Sequence, residues 1–225
     1  MQNRIASLWR LVKGIFNKEL SNRTFLFQFF HKLDSKRVLE GGPWTYDNYL
    51  LILHQLVAGE IPTSIALNFV DFWVQIHDLH IGFMSVAIGT KIGNFISSFL
   101  DYNDSNNSSI WRNYMRIRVR LDVRKPLKCY KKIRRLNGDC AILNLKYERL
   151  GIFCFICGLL GDSDKFCEQA FTDKPDEVPR EWGTWLRANT RQTDGGSSGD
   201  KWLRSEDGSP MGVSIISGGS HAQSS

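Results

Sequence analysis

The sequence predicts an α+β fold with a mostly antiparallel sheet and few helices. Short runs of alternating polar and apolar residues outnumber the helical patterns, and turn-forming residues separate these runs. A hydrophobic content of 42% is enough to fill a core in a chain of 225 residues. From residue 192 onward the chain is rich in Gly and Ser and poor in apolar residues, so a disordered tail is expected over 192–225.

Apolar periodicity and turn residues place the elements along the chain. Helices are predicted over 2–11 and 83–100. A brief helix between them is expected to have Asp34 or Ser35 as its cap, because short polar side chains accept hydrogen bonds from the first turn. The strand-like runs are 12–18, 24–30, 49–53, 69–76, 114–123 and 140–147.

The segment 154–167 has the metal-ligand spacing C-x2-C-x4-D-x4-C. Cys154 and Cys157 are two residues apart, so one tight turn aims both thiolates at a single ion, and Cys167 supplies a third. Asp162 stands where a zinc knuckle has its histidine, with Asp164 as a second candidate for the fourth ligand. Zinc accepts carboxylate oxygen, so a zinc site with these ligands is predicted. The alternatives are a knuckle that keeps its turn without the ion, or a disulfide pair in a secreted domain.

The strand predicted over 114–123 sends apolar and basic residues to opposite faces. Between residues 112 and 135, eleven basic residues stand against one acid, Asp122. Because ordinary outer faces mix charges of both signs, this surface is predicted to bind phosphates. The alternative is a solvated face without a partner. The predicted phosphate contacts are Arg112, Arg116, Arg118, Arg120, Arg124, Lys128, Lys131 and Lys132.

A second strand, over 24–30, carries Phe25, Phe27 and Phe29 on one face. It partly resembles the signature strand of the RNA recognition motif, which presents aromatic rings to bases. Core packing is the favoured interpretation of this phenylalanine stripe, and base stacking is the alternative.

Four stretches, 25–47, 70–84, 111–123 and 146–167, resemble plant DUF4283 proteins. These chains are retrotransposon-derived and similar to the first reading frame product of non-LTR elements, and their DUF4283 domain precedes a CCHC-type zinc knuckle. The resemblance covers about residues 1–190 and implies binding of zinc and of single-stranded nucleic acid, without an established catalytic activity. By this resemblance, Cys154, Cys157 and Cys167 align with the thiolate ligands, Asp162 aligns with the histidine, and Phe155 aligns with an aromatic position that can stack on a base.

The resemblance and the composition together give a domain organisation. Residues 1–148 are expected to form the DUF4283-like α+β domain, partly RNA-recognition-motif-like and lacking the family's first strand. Residues 149–171 form the knuckle, 172–191 a short appended segment, and 192–225 the tail.

The sequence contains no motif of a known catalytic site, so we expect a protein that is not an enzyme. Its net charge of +6 suits an acidic partner. It has neither the apolar core of a signal peptide nor a run of about 18 apolar residues, and charge and resemblance favour a nuclear location. The alternative functions are a protein-interaction or self-assembly scaffold, or a degenerate element relic with no activity.

Overall fold

The computed structural model describes residues 2–21, 24–106, 113–134, 140–161, 163–170, 180–189 and 211–217. Contacts divide the chain into two compact units, which are Met1–Asn68 with Pro210–Ser225, and Phe69–Ser209. The domain boundaries expected after residues 148, 171 and 191 remain predictions.

The described chain is α+β with few helices and mostly antiparallel strand pairs, as predicted. Its helices are α1 (Gln2–Trp9), α2 (Lys32–Glu40) and α3 (Val86–Ile96). Its strands are β1 (Ile15–Ser21), β2 (Thr24–Phe29), β3 (Trp44–Tyr46), β4 (Tyr49–Gln55), β5 (Phe69–His77), β6 (Ser98–Tyr102), β7 (Tyr114–Asp122), β8 (Tyr130–Arg134), β9 (Cys140–Tyr147) and β10 (Met211–Ser217).

The first unit holds a sheet in the order β1-β2-β10-β4-β3. The β1–β2 and β3–β4 pairs are antiparallel, whereas β10 is parallel to both β2 and β4. Strand β10 lies within the segment predicted to be a disordered tail. Its run of Met, Val and Ile residues has the β-propensity that the Gly- and Ser-rich composition of the whole tail conceals. The rest of the tail lies outside the described residues.

The phenylalanine stripe of β2 belongs to the core of this unit. Phe25, Phe27 and Phe29 are all buried, and the Trp9 ring of α1 lies 5.1 Å from that of Phe27 and 5.7 Å from that of Phe29, centroid to centroid. The core interpretation is therefore confirmed, and the buried phenylalanine rings are not accessible for stacking on bases.

The cap of α2 is His31, not Asp34 or Ser35. His31 Nδ1 accepts a hydrogen bond from the N–H of Leu33 at 3.1 Å. Asp34 is buried and accepts instead from the N–H groups of Val12 and Lys13, at 3.2 and 3.1 Å. The prediction failed because a long-range partner uses the carboxylate that local capping rules assign to the helix.

The second unit holds an antiparallel sheet in the order β6-β7-β5-β9-β8. Along β7 the odd positions Met115, Ile117, Val119 and Leu121 are buried, as the alternation predicted. Helix α3 packs on this buried face. Its Gly89 lies so close to the sheet that an added Cβ would be 3.3 Å from the Ile117 side chain. Strand β8, the edge strand next to β9, was not predicted from the sequence.

Helix α3 is shorter than the predicted 83–100. It ends at Ile96, and β6 begins at Ser98. The chain reverses because the Phe99 ring packs over Gly93, where an added Cβ would meet that ring at 2.8 Å. Asn94 Oδ1 also accepts the N–H of Phe99 at 3.0 Å. Apolar periodicity alone cannot distinguish this return strand from a further helical turn.

Candidate metal centre and nucleic-acid interface

Three thiols meet in the second unit. The Sγ atoms of Cys154, Cys157 and Cys167 all lie within 4.8 Å of one another. The N–H groups of Ile156 and Cys157 donate to Cys154 Sγ at 3.3 and 3.5 Å. Backbone donors of this kind stabilise a thiolate, which is the form that binds a metal. The three sulfur atoms are close enough together to occupy three corners of a tetrahedral zinc site.

A tight reversal of the backbone produces this geometry. Gly158 N donates to Cys154 O at 3.0 Å, and Cys154 N donates to Leu159 O at 2.9 Å. Gly158 and Gly161 have φ values of +73° and +101°, a region that side chains other than glycine disfavour. The two glycines let the chain fold back so that the third cysteine reaches the first two.

Burial raises the pKa of the Cys154 thiol to about 12, and the N–H groups of Cys157 and Ile156 only partly offset this. A buried thiol of this kind stays protonated unless a cation replaces the proton. Zinc coordination removes the proton and provides that charge. The described ligands therefore fit a zinc ion, which would be held by Cys154, Cys157 and Cys167.

The fourth ligand position is not part of the described geometry, because Asp162 lies outside the described residues. Asp164, the second candidate, is engaged elsewhere: its Oδ1 accepts the N–H of Phe155 at 2.6 Å, and its Oδ2 lies 3.8 Å from Arg180 Nε. Asp164 thus stabilises the turn between the first two cysteines, and the three-thiol group does not include it.

Phe155, predicted to stack on a base, packs locally. Its ring centroid lies 5.0 Å from that of Phe153, and the residue is half-buried. Its carbonyl accepts the N–H of Trp182 at 3.2 Å. Part of the ring is therefore engaged within the protein, and its role toward a base stays a prediction.

Trp182 fastens the knuckle to the segment that leads into β8. Its Nε1 donates to Leu127 O at 2.8 Å, and Leu127 N donates to Gly158 O at 3.0 Å. The indole lies directly on Gly158, where an added Cβ would come within 2.4 Å of the ring. The sequence did not predict this contact, although an apolar tryptophan in a polar appended segment was the available signal.

Arg116 and Arg120 of β7 are paired with carboxylates from other parts of the unit, and Arg124, just after β7, is paired with the neighbouring Asp122. Neighbours along the chain do not include the partners of Arg116 and Arg120, because Asp71 of β5 lies directly opposite Arg120 only in the sheet register. Arg112 lies outside the described residues. The guanidinium–carboxylate pairs, each joined by two hydrogen bonds of 2.8–3.1 Å, are Arg116–Glu148, Arg120–Asp71 and Arg124–Asp122.

Two of the arginines also lie near an aromatic ring. The guanidinium carbon of Arg116 is 3.7 Å from the centroid of the Trp73 ring, and that of Arg118 is 5.8 Å from it. The half-buried Arg116 is therefore held by both a ring and a carboxylate. Such a side chain has little freedom to reach a phosphate.

The lysines that follow β7 differ from these arginines. Lys131 Nζ lies 3.6 Å from the Phe95 ring centroid, and Lys132 Nζ lies 6.0 Å from that of Tyr130. Within the described part of the chain, none of the cations in this stretch has a carboxylate partner within 4.0 Å. We call this group the basic edge, and its members are Lys125, Lys128, Lys131, Lys132 and Arg134.

The basic edge and the knuckle are adjoining parts of one unit. Leu127, which bonds to Gly158, lies between Lys125 and Lys128 in the chain. Lys128 O also accepts the hydroxyl of the buried Tyr147 at 2.8 Å. These cations, which have no carboxylate partner among the residues that the structure describes, are thus held beside the three-thiol group. None of the helices in the described chain is long and apolar enough to cross a membrane.

Comparison with known proteins gives two family matches. Residues 121–169 match the model of a CCHC-type zinc knuckle, and residues 1–64 match that of DUF4283, a domain of unknown function. The chain is 26% identical over 129 residues to an uncharacterized protein of Arabidopsis thaliana, At4g02000, in a match that covers 56% of this chain and 39% of the relative. It thus spans about two fifths of that relative's length. No solved structure matches. The chain therefore combines a segment similar to DUF4283 with a zinc-knuckle segment whose match includes the basic edge as well as the cysteines.

Proposed function

We propose that this protein binds zinc and single-stranded nucleic acid, and that the zinc-stabilised knuckle holds the basic edge against the sugar–phosphate backbone. The observation that carries the proposal is the pair of hydrogen bonds that join Leu127 to Gly158 and to Trp182. They attach five cations without a carboxylate partner, among the described residues, to a three-thiol group of zinc-knuckle spacing. Zinc knuckles are a common single-stranded RNA module.

The residues divide into two roles. Lys128, Lys131 and Lys132 are the phosphate contacts, because their charge is not engaged by a described carboxylate. The arginines of β7 and Arg124 just after it mainly stabilise the sheet, although a phosphate could compete for the exposed Arg120 and Arg124. Asp162 is proposed as the fourth zinc ligand, and Arg112 as a further phosphate contact.

Zinc content tests the metal site. The purified protein is expected to contain one zinc ion per chain by elemental analysis. Cys154→Ser should lose it, whereas Cys140→Ser, which changes an exposed cysteine outside the cluster, should retain it. A wild-type protein without zinc after zinc-supplemented expression would contradict the site.

Fluorescence anisotropy of a short single-stranded RNA across a salt series tests the binding surface. Replacement of both Lys128 and Lys132 by Glu should weaken binding and reduce the slope of log K against log salt by about 1.4, at about 0.7 for each phosphate contact. Lys36→Glu is the matched control, because this exposed lysine lies on α2 in the other unit. Equal slopes for the double variant and the control would refute the basic edge as the phosphate surface.

The resemblance to retrotransposon-derived chains extends this proposal. We propose a retrotransposon origin, a nuclear location and action by binding alone. Related copies next to a reverse-transcriptase reading frame would support the origin, and a fluorescent fusion would report the location. Cleavage or modification of a labelled RNA by the zinc-loaded protein would contradict action by binding alone.

A further inference from the structure

Four side chains form a row across the second sheet. In the strand register Tyr130 of β8 pairs with Asn144 of β9, Asn144 pairs with His77 of β5, and His77 pairs with Tyr114 of β7. Directly paired residues of antiparallel strands point to the same face. We call these four residues the sheet row. Neighbouring strands are about 4.8 Å apart, so the row is roughly 14 Å long.

The sheet row lies on the face opposite α3. The residues on either side of Asn144 in β9, Leu143 and Leu145, are each 1% exposed and belong to the buried face. Asn144 itself is exposed, and Tyr130 is 51% exposed. His77 and Tyr114 are half-buried, and their ring centroids are 5.1 Å apart. The row therefore offers aromatic surface to solvent at its β8 end and a packed ring pair at its β7 end.

Neighbouring side chains hold the row in place. Asn144 Nδ2 donates to Asp78 Oδ2 at 2.7 Å, and His77 Nε2 is 3.1 Å from Gln75 Oε1. Burial lowers the pKa of His77, and the charge of Lys146 lowers it further, although Asp78 opposes this. The imidazole is thus neutral near pH 7 and presents an uncharged ring beside that of Tyr114.

Cations border the row on the same face. Lys132 follows Tyr130 by two residues along β8, and its Nζ lies 6.0 Å from the tyrosine ring. Lys146 follows Asn144 by two residues along β9. Aromatic rings next to lysines form the arrangement with which proteins stack unpaired bases while contacting the adjacent phosphates. Bases in a duplex are already stacked on one another and cannot use such rings without unpairing.

We infer that the sheet row binds the unpaired bases of a single-stranded nucleic acid, with Tyr130 as the principal stacking ring, and that it makes the protein prefer single strands to duplexes. This inference rests on the proposed nucleic-acid binding but concerns a different contact, because the basic edge alone would bind the phosphates of either form. Strand β8 then has two functions: Lys132 contacts the sugar–phosphate backbone of the nucleic acid, and Tyr130 stacks on a base.

The test uses the full-length, zinc-loaded protein with a short single-stranded RNA and with the duplex of the same sequence. Tyr130→Ala should weaken single-strand binding by about 5- to 100-fold, as expected for the loss of one stacked base, with an unchanged salt slope. Its binding to the duplex should not change. Tyr130→Phe and Tyr130→Trp keep a ring and should retain the wild-type affinity. A 2-aminopurine in the RNA should be quenched by the wild type and not by Tyr130→Ala.

The possible outcomes distinguish a failure of the sheet row from a failure of the proposed nucleic-acid binding by the basic edge. If the wild type binds no RNA at low salt, both are wrong. If the wild type binds RNA with a steep salt dependence and Tyr130→Ala binds equally well, the basic edge stands and the sheet row is overturned. If Tyr130→Phe is as weak as Tyr130→Ala, the hydroxyl rather than the ring makes the contact, and the stacking role is overturned. Because Tyr130 is half exposed, the variants should fold, and their thermal unfolding gives the check.

Discussion

Asp162 occupies the position at which a CCHC knuckle has its histidine. A carboxylate is a harder and less selective ligand for zinc than an imidazole, so a site with three thiolates and one carboxylate is complete but uncommon. At the scale of single residues, our proposal is that Asp162 completes the site formed by the three thiols and that its carboxylate lowers the metal affinity below that of a histidine.

Asp162→His should therefore raise the affinity for zinc. Competition with a colorimetric chelator measures the change, with Asp164→His as a matched control. Asp164 is engaged with the N–H of Phe155, so its replacement should not tighten zinc binding. A gain with Asp164→His instead would place the fourth ligand at residue 164.

Gly158 serves both the turn and the contact with Trp182. Gly158→Ala places a Cβ at a φ of +73° and within 2.4 Å of the indole. Gly59→Ala measures the cost of the positive φ alone, because Gly59 has a φ of +94° and no atom within 4 Å of the added Cβ. We expect the control to lose about 1–2 kcal/mol of unfolding free energy, the usual cost of a left-handed residue, and Gly158→Ala to lose more. Equal losses in urea unfolding would mean that the indole moves aside without cost.

At the scale of elements, β7 shows what sequence alternation can and cannot predict. Its alternation gave the buried face correctly, because the side-chain period of a strand is a local property. The charge of its other face depends on Asp71 and Glu148, which are distant in sequence. Asp71 lies on β5, the strand paired with β7, and Glu148 directly follows β9, the strand on the other side of β5. The sequence predicted both the arginines and the lysines Lys128, Lys131 and Lys132 as phosphate contacts, and it could not show which of these cations have a carboxylate partner in the described structure.

Arg116→Ala tests this account of β7. The side chains of Arg116 and Glu148 are 21% and 15% exposed, so removal of the arginine leaves a largely buried carboxylate without its main partner. We expect a loss of about 1–3 kcal/mol in urea unfolding and little change in RNA affinity. Arg120→Ala, which removes a half-exposed side chain and leaves the more exposed carboxylate of Asp71, should cost less. A large loss of RNA affinity with unchanged stability would restore the arginine strand as the binding surface.

At the scale of the whole molecule, the sequence identified the α+β class, the antiparallel pairing and the three cysteines that meet. It did not identify the partition into two units or the position of β10, because both depend on contacts between segments far apart in the chain. Nor did it show that Trp182 joins the knuckle to the segment before β8. An appended segment without periodicity carries no pattern that predicts its docking site.

Zinc removal should therefore affect more than the knuckle. With a strong chelator, amide hydrogen exchange should rise at residues 125–129 and 180–188 as well as within 150–170, because Leu127 and Trp182 are bonded to the knuckle. Exchange at β1 and β2 in the other unit should stay constant, and affinity for single-stranded RNA should fall with the loss of order. An increase confined to 150–170 would show that zinc does not position the basic edge.

Strand β8 lies at the margin of its sheet, with one side of its backbone unpaired in the described sheet. An unpaired margin is a template on which another extended chain can add, and proteins commonly protect it with lysines. Lys131, Lys132 and Arg134 place three like charges on five residues of this margin. Two copies brought together along β8 would repel each other. The same charges that suit a polyanion therefore also protect the protein from aggregation through this strand, and neutralising them would remove both properties at once.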